Sequence, residues 1–291
     1  MEQSLEPQWC DKMNVVEPKP FLKWAGGKRQ LLNDLLSHLP YQFNNYYEPF
    51  LGGGALFFKL SSLGKIKHAY LNDNNKILID AYRTIKENPH ELIKELENGK
   101  YINNKEIFYK IRQEKPIDVV ESTARFLYLN KTAFNGLYRV NSKGIFNVPF
   151  GKYSKPTILD KSNLWAVNKA LQTNDLSHLD FEEAVDGAKN GDLVYFDPPY
   201  HPISKTANFT GYIKDIFSLK DQQRLARKFN ELDKRGCKII LSNSHSPLIL
   251  ELYNKYHIDI VRAVRMINCK ADGRGLVKEV IITNYSDYLS L

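Results

Sequence analysis

A carboxylate and an aromatic ring lie close together in the tetrapeptide Asp197–Tyr200, whose two central residues are prolines. The preceding run Leu193–Phe196 is short, apolar and rich in β-forming residues, so it predicts a buried strand that the prolines terminate. Open α/β sheets bind their ligands at the carboxyl ends of such strands. Asp197 and the carbonyl oxygen of Pro198 can both accept hydrogen bonds from one –NH2 group, and Tyr200 can stack on the ring that carries it. The tetrapeptide therefore predicts a site for a flat substrate with an exocyclic amine; the alternative is a rigid turn without a chemical role.

A glycine-rich turn predicts a second part of the same site. The stretch Tyr46–Phe50 is a predicted strand, Gly52–Gly54 form a turn, and a helix begins at Ala55. Glycines accept positive φ angles and let the backbone approach a ligand closely. Asp73 follows about 20 residues beyond the turn, where an acidic residue binds ribose hydroxyls in nucleotide-type βαβ units. These features predict an adenosine-containing cofactor without specifying which one.

Composition restricts the class of protein. The chain has 291 residues, of which 43% are hydrophobic and 25% charged, as in ordinary globular proteins. The first 20 residues lack a secretory signal pattern, and the sequence has no apolar run long enough to span a membrane. Its three cysteines are widely scattered, and its histidines and cysteines do not show metal-ligand spacing. We therefore expect a cytoplasmic protein that uses neither a membrane nor a metal.

The segment from Ser122 to Lys161 carries most of the net charge of +8. It contains seven Lys and Arg residues and one acidic residue, Asp160. Seven aromatic residues are interleaved with these cations. This pattern suits a nucleic-acid surface, with cations for phosphates and rings for bases, and it equally suits a solvated basic face over an aromatic core.

Several motifs together resemble a known family of enzymes. In chain order, they are Phe21–Lys28, Phe50–Gly54, Asn135–Asn141 continuing through Gly144–Tyr153, and Asp197–Tyr200. The second and last motifs resemble amino-methyltransferases that use S-adenosylmethionine. The full set resembles the Dam family of DNA adenine-N6 methyltransferases, most closely its DpnM-like branch, whose target is GATC. The likeness runs from about Phe21 to about Tyr285, and the chain departs from the family in an N-terminal extension of about 20 residues, to which the sequence assigns no function.

The resemblance implies an α/β fold. It predicts a Rossmann-like, S-adenosylmethionine-dependent methyltransferase sheet with an inserted, mainly helical DNA-recognition module. The expected boundaries are a flexible tail at 1–20, a catalytic domain at 21–82 and 171–291, and the recognition module at 83–170. Periodicity and end signals predict the elements Lys28–Leu39, Glu87–Gly99, Lys105–Gln113, Val119–Asn130 and Asp221–Arg235 as helices, and Lys238–Leu241, Ile258–Met266 and Lys278–Thr283 as strands.

The same resemblance implies roles at the catalytic site. Asp197 and the Pro198 carbonyl would hold the amine of an adenine in double-stranded DNA, and Tyr200 would stack on that base after it flips out of the duplex. The predicted contacts to S-adenosylmethionine are Trp24, Lys28, Glu48, Pro49, Phe50, Gly52, Gly54, Asp73, Asp180, Phe181 and the back of Asp197. One departure concerns the Asp180-Phe181 pair, because Leu179 stands where related chains often have glycine.

DNA contacts are implied in the recognition module. Arg139 is the predicted reader of a guanine, since arginine pairs bidentately with the major-groove edge of that base. Lys23 is expected at the other guanine, and Tyr153 at the backbone. The remaining predicted contacts are Leu137 and Pro149 at a thymine methyl group, Phe134 and Asn135 near the flipped base, and Asn141 in the loop that presents Arg139.

Two other functions fit part of the pattern. An Asp-Pro-Pro-Tyr acceptor pair could hold the N4 amine of cytosine instead of adenine. A DNA-binding protein on an inactive methyltransferase scaffold would also be basic, but the intact Asp197, Tyr200, Gly52, Gly54 and Asp73 argue against it. The sequence leaves open whether the protein accompanies a restriction endonuclease, with which direct contact is not expected.

Overall fold

The computed structural model describes residues 16–24, 31–141, 144–200, 217–264, 276–286 and 288. Its strands are β1 Tyr46–Glu48, β2 Ala69–Asn72, β3 Asp175–Ser177, β4 Leu193–Phe196, β5 Lys238–Ser244, β6 His257–Val264 and β7 Leu276–Thr283. They form one seven-stranded sheet in the order β3-β2-β1-β4-β5-β7-β6. The first five strands are parallel, and β7 runs antiparallel between β5 and β6. The predicted Rossmann-like methyltransferase sheet is confirmed.

Helices cover both faces of the sheet. They are α1 Leu32–Ser37, α2 Ala55–Ser62, α3 Lys76–Glu87, α4 Pro89–Glu97, α5 Lys105–Gln113, α6 Val119–Thr132, α7 Lys161–Leu171, α8 Leu219–Lys234 and α9 Pro247–Leu252. The side chains of β4 alternate between two hydrophobic cores, with Leu193 and Tyr195 in one and Val194 and Phe196 in the other. All four are buried, as expected for a central parallel strand covered on both faces.

Most predicted elements form where the sequence placed them. Helix α5 and strand β4 have the predicted bounds. Helix α8 begins at Leu219 rather than at the predicted Asp221, because Ser218 caps it through a reciprocal capping box with Asp221. Helix α4 begins at Pro89 rather than Glu87, because proline is well suited to the first helical position and cannot continue the preceding helix.

The sequence did not predict α3, α7, α9 or β3. Helix α3 is amphipathic, and its N-cap Asn75 accepts a hydrogen bond from the Leu78 backbone N–H. It spans the predicted junction at 82/83 and packs against α6 and α7. Residues such as Phe108 and Tyr128 of the recognition module lie in the same hydrophobic core as Leu56 and Phe57. The module is therefore fused to the sheet through a shared core, and its exact bounds stay a prediction.

Two absences concern only the parts of the chain that the structure describes. None of the helices there is both long and apolar enough to cross a membrane. The same residues contain no group of three or more His, Cys, Asp or Glu side chains arranged to hold a metal ion.

Candidate active site and nucleic-acid interface

The glycine turn after β1 is tied to Asp73, the residue after β2. The backbone N–H of Gly52 donates to Asp73 Oδ2 at 2.9 Å, and the N–H of Asn75 donates to Oδ1 at 2.9 Å. Asp73 is half-buried, and burial raises the pKa of its carboxyl although the two N–H donors oppose the rise. The sequence predicted that the turn and Asp73 would meet, and the structure brings them into direct contact.

The turn requires glycine at two positions. Gly52 and Gly54 have φ angles of +50° and +65°, in the left-handed region. A Cβ at Gly52 would lie 2.9 Å from Trp24 Cδ1, and one at Gly54 would lie 2.9 Å from the hydroxyl oxygen of Tyr82. Tyr82 also donates to the Gly52 carbonyl at 3.1 Å. This bare backbone beside a carboxylate fits the adenosyl group of S-adenosylmethionine, because glycines admit close approach and Asp73 can accept from ribose hydroxyls.

Trp24 joins the N-terminal motif to this turn. Its ring lies over Gly52 and stacks on Tyr138 of the recognition module, with the ring centroids 5.9 Å apart. Trp24 is half-buried, so part of its surface stays accessible. The structure thus brings Trp24 to the glycine turn, its contact to the cofactor stays a prediction, and Lys28 lies outside the described residues.

Asn72 organises three strand ends that sequence reasoning did not connect. Its Nδ2 donates to the carbonyls of Pro49 and Leu179, each at 3.1 Å. Its Oδ1 accepts from the Ser177 hydroxyl at 2.8 Å and from the Leu179 backbone N–H at 2.9 Å. The side chain is buried and fully occupied. It fixes the ends of β1, β2 and β3 relative to one another, which holds the glycine turn beside the loop that carries Asp180 and Phe181.

Glu48 lies beneath the turn rather than on its surface. It is 2% exposed and accepts hydrogen bonds from the Tyr46 hydroxyl, at 2.9 Å, and from the backbone N–H of Phe57. Burial raises the pKa of Glu48 from 4.5 to about 8, with nearby Asp197 adding to the rise. These contacts support the first turn of α2 from below. A direct contact of Glu48 or of the equally buried Pro49 to the cofactor stays a prediction.

Three phenylalanines form an aromatic wall beside the turn. Phe50 stacks on Phe181 with centroids 5.4 Å apart, and Phe217 packs against both rings. Arg224 of α8 lies over the Phe181 ring at 4.9 Å and donates to Asp180 Oδ1 at 2.8 Å. The structure thus brings Phe50, Asp180 and Phe181 together, as predicted. It also shows that Arg224, which the sequence did not identify, holds the Asp-Phe pair in place.

Asp197 follows β4 at the same edge of the sheet as the glycine turn, since β1 and β4 are adjacent and parallel. The hydroxyl of Ser242 donates to Asp197 Oδ1 at 3.0 Å. The hydroxyl oxygens of Ser242 and Tyr195 lie 3.1 Å apart. The carboxylate is therefore oriented by the buried Ser242 of β5, which in turn contacts the buried Tyr195 of β4.

Residues of α8 and β7 bind Pro199 and Tyr200, the last two residues of the tetrapeptide. Gln222 of α8 donates to the Pro199 carbonyl at 3.1 Å and accepts from Asn243 Nδ2 at 3.2 Å. The Tyr200 hydroxyl donates to Glu279 Oε2 on β7 at 2.7 Å. Burial raises the pKa of Tyr200, and the charges of Asp197 and Glu279 raise it further, so its hydroxyl remains a donor. Asp197, Pro199 and Tyr200 are thus each restrained by a different side chain.

The recognition loop lies in an irregular hairpin after α6. Backbone hydrogen bonds join Phe134 to Pro149 at 2.9 Å and Asn147 to Arg139 at 3.0 Å. Arg139 is exposed, and its Nε donates to Asn147 Oδ1 at 2.7 Å. A bidentate contact to guanine would use the two terminal nitrogens of that guanidinium. Asn147 therefore orients the predicted guanine reader.

The other predicted DNA contacts differ in exposure. Phe134 is 50% exposed, and Asn135 has a φ of +55° that turns the chain beside it. Pro149 is exposed, while Leu137 is half-buried against the core. The Asn141 side chain accepts from the Ile145 backbone N–H at 3.0 Å, which closes the tip of the hairpin. A base contact by Asn141 stays a prediction, because the structure assigns its side chain to the turn.

Asn130 of α6 connects the first motif to the recognition loop. It accepts from the Lys23 N–H at 2.8 Å and donates to the carbonyls of Lys23 and Gly136 at 2.7 and 3.1 Å. The Lys23 side chain runs over Gly136 and places its ammonium 3.9 Å from the centroid of the Tyr153 ring. Lys23 and Tyr153, predicted to contact DNA, are therefore neighbours on one surface.

The residues that sequence reasoning missed are mostly buried and polar: Asn72, Asn130, Tyr195, Gln222, Ser242 and Asn243. The signal for two of them was visible. Ser242 and Asn243 end the apolar run of β5, and polar residues at a strand's carboxyl end belong to the site in an open α/β sheet. Asn130 and Gln222 lie on amphipathic helices, where the sequence does not distinguish a buried polar residue from a solvated one.

The sequence is similar to known proteins over most of its length. The model of the family described as D12 class N6 adenine-specific DNA methyltransferase matches residues 24–267. The Type II methyltransferase M1.LlaDCHI of Lactococcus lactis subsp. cremoris is 44% identical over 282 residues, covering 94% of this chain and 98% of the relative. The Type II methyltransferase M.MjaIII of Methanocaldococcus jannaschii is 42% identical over 289 residues, covering 93% and 100%. The DNA adenine methylase of Escherichia coli strain K12 is 34% identical over 267 residues, covering 90% and 94%.

Proposed function

The chain belongs to the D12 class of N6 adenine-specific DNA methyltransferases, and we propose that it transfers a methyl group from S-adenosylmethionine to a flipped-out adenine within GATC in double-stranded DNA. One observation carries the proposal. The glycine turn with Asp73 and the tetrapeptide with Asp197 lie at the same edge of adjacent parallel strands, where one bound cofactor and one base can meet.

S-adenosylmethionine, when bound, supplies an electrophilic methyl group. The lone pair of the adenine N6 is delocalised into the ring, so the protein has to orient the amine and stabilise positive charge on it. Asp197 and the Pro198 carbonyl accept hydrogen bonds from the two N–H groups, which favours a tetrahedral nitrogen. Ser242 holds Asp197 in a fixed orientation for this role.

Tyr200 provides the surface for the flipped base. An adenine inside a duplex cannot reach a methyl donor in this recessed edge, and flipping costs a few kcal/mol. Stacking on one aromatic ring returns roughly 1–3 kcal/mol of that cost. Because Glu279 binds the Tyr200 hydroxyl, the ring is restrained before the base arrives.

Specificity for GATC is assigned to the recognition loop. Arg139 is exposed and oriented by Asn147, and Lys23 and Tyr153 lie together nearby on the first motif and the loop's end. The loop's likeness to the Dam family supports reading of a guanine by Arg139. A chain that acts on DNA works where the DNA is, so a cytoplasmic location is part of the same proposal.

The family match answers the cytosine-N4 and inactive-scaffold alternatives in favour of an adenine methyltransferase. The names of the relatives leave open whether the protein works alongside a restriction endonuclease. Two relatives carry Type II methyltransferase names and others are named DNA adenine methylases. We propose that this chain protects DNA alongside a restriction endonuclease, without direct contact, because the Type II relatives share the higher identity.

The test is methyl transfer from labelled S-adenosylmethionine to short duplexes. We expect label in a GATC duplex and strongly reduced label in each duplex with one base pair of GATC changed. A 2-aminopurine at the target position should brighten on binding as it unstacks. Equal labelling of all variants would refute the GATC assignment, and methylation without a fluorescence change would count against stable flipping.

A further inference from the structure

Ser242 lies directly opposite the catalytic carboxylate. Strands β4 and β5 are parallel, and Phe196 pairs with Leu241 as the last register partners before the site. The next position on each strand therefore places Asp197 beside Ser242, on the face that also carries Tyr195. The hydroxyl of Ser242 is 3.0 Å from Asp197 Oδ1, and the residue is fully buried.

The direction of the hydrogen bonds is fixed by the carboxylate. An ionised carboxylate only accepts, so the single proton of the Ser242 hydroxyl must point to Asp197. The 3.1 Å contact between Ser242 and Tyr195 is then a bond in which Tyr195 donates to the serine oxygen. Burial raises the pKa of Tyr195 well above its ordinary value, so the phenol keeps its proton for this bond.

We propose that Ser242 is a positioning residue that sets the rotation of the Asp197 carboxyl group, and that Tyr195 fixes Ser242 in turn. The inference rests on the proposed function, in which Asp197 accepts from the adenine amine. Rotation of the carboxyl group about its Cβ–Cγ bond would change the angle at which its acceptor oxygens meet that amine. Sites of this kind need orientations held to within about 10–20°.

A purely structural role predicts a different outcome. Buried hydroxyls that only satisfy one another stabilise the fold when present and destabilise it when lost, without changing the rate of folded molecules. A pair that ends on the catalytic carboxylate has to affect the rate. Thr283 of β7 supplies the matched control, because its buried hydroxyl bonds to the Tyr285 carbonyl and the Tyr288 hydroxyl and does not contact the tetrapeptide.

The experiment measures single-turnover methylation, the KM for S-adenosylmethionine and duplex affinity in Ser242→Ala, Tyr195→Phe, the double variant and Thr283→Val. We expect Ser242→Ala to lose at least about tenfold in rate, the scale for one hydrogen bond to a charged group, with KM and affinity within about twofold. Tyr195→Phe should lose about threefold, and the double variant should be no slower than Ser242→Ala, because the two hydroxyls act in series. Thr283→Val should keep the parental rate even where its melting temperature falls.

Asp197→Ala, measured in the same assays, distinguishes a failure of the proposed role of Asp197 from a failure of the proposed role of Ser242. If Asp197→Ala remains active, the proposed role of Asp197 fails and the inference fails with it. If Asp197→Ala is inactive while Ser242→Ala keeps the parental rate, the inference alone is wrong. Should Ser242→Ala not fold, Tyr195→Phe decides, since it keeps nearly the same volume. A parental rate in Tyr195→Phe, or losses that multiply in the double variant, would overturn the serial arrangement.

Discussion

Two regions carry the proposed substrate contacts, and they are built differently. One is the carboxyl edge of the sheet, with Asp73 and Asp197, and the other is the recognition loop, with Arg139. At the edge, Asp73 and Asp197 accept hydrogen bonds from a backbone turn and from a buried serine. In the loop, Arg139 is exposed and held by the side chain of Asn147. Chemistry requires fixed angles, whereas sequence reading requires long side chains that adapt to DNA. Mutations at the edge should therefore change the methyl-transfer rate or the cofactor affinity, and mutations in the loop should change specificity.

The aromatic residues of the basic segment show the same division. Phe126, Tyr128 and Phe146 are buried in the core, while Phe134 is half exposed. A buried aromatic core therefore underlies part of the basic segment, while the binding of nucleic acid by its cations and remaining rings stays a prediction. The cations of the loop are thus carried on a packed support, and we propose that the exposed ring of Phe134 contacts a nucleic acid.

The largest effect is expected at the edge. Asp197→Ala should lower the methyl-transfer rate at least ~100-fold, the scale for losing one aimed electrostatic partner. DNA affinity should change little, because the proposed phosphate contacts lie elsewhere. Single-turnover assays with saturating substrates measure the loss, and Asp175→Ala, at an exposed carboxylate of β3, is the control. A rate within a few-fold of the parent would remove Asp197 from catalysis.

Asp73→Ala should affect the cofactor rather than the rate of transfer. A charged hydrogen bond to a ribose hydroxyl contributes roughly 1.5–3 kcal/mol, so the dissociation constant should rise about 10- to 100-fold. Loss of the bond to Gly52 would add to this rise by loosening the turn. Calorimetry with S-adenosylmethionine measures the change, and Asp80→Ala on α3 is the control. Unchanged affinity would show that Asp73 does not reach the pocket.

Arg139→Ala should change which duplexes are methylated. A bidentate arginine–guanine pair discriminates by about 1–3 kcal/mol, so activity on GATC should fall while discrimination at one guanine relaxes. Arg139→Lys keeps the positive charge but loses the planar pair of guanidinium donors. It should therefore relax discrimination at the same guanine. The measurement is methylation of every single-base variant of GATC. An equal loss on all sites would make Arg139 a phosphate contact or a structural residue.

Glu48→Gln tests whether the buried carboxyl group of Glu48 is protonated in the folded protein. The folded state raises the pKa of Glu48 from 4.5 to about 8, so it favours the protonated form. Its contribution to stability is full below pH 4.5 and is lost as the pH rises through about 8. The parent should therefore lose stability relative to Glu48→Gln across this range, by up to about 1.4 kcal/mol per pH unit. Denaturant unfolding at several pH values measures this, with Glu97→Gln at an exposed carboxyl as control; parallel curves would contradict it.

The sequence predicted the fold where local and long-range signals agreed. Strand β4 ends at two prolines, so its predicted bounds were correct, and the predicted bounds of helix α5 were correct as well. Helix α3 was missed because the predicted βαβ unit and the predicted insertion were divided at its centre. Strand β3 has only three residues, with Asp175 and Ser177 polar, so its formation depends on pairing with β2. Such short strands carry little periodic signal.

The sequence predicted the residues that carry the chemistry of the candidate site, but not the residues that hold them in place. Glycines, Asp73 and Asp197 have types and spacings that chemistry restricts, so the sequence identified them. Ser242, Asn72 and Asn130 act through partners more than 40 residues away in the chain. Only the sheet order and helix packing bring such pairs together, and neither is encoded locally.

The smallest effect is expected for a single phosphate contact at the edge of the loop. Lys155 is exposed beyond the hairpin in the basic segment, and we predict that Lys155→Ala weakens binding to all duplexes alike. Losing one phosphate contact should lower the slope of log affinity against log salt by about 0.9. The measurement is duplex binding at several salt concentrations, with and without GATC.

Lys234→Ala is the control, because this exposed lysine ends α8 next to the start of β5, at the opposite edge of the sheet from the site. An unchanged slope in Lys155→Ala would place the DNA away from this side of the loop, and a loss confined to GATC would make Lys155 a base reader like Arg139.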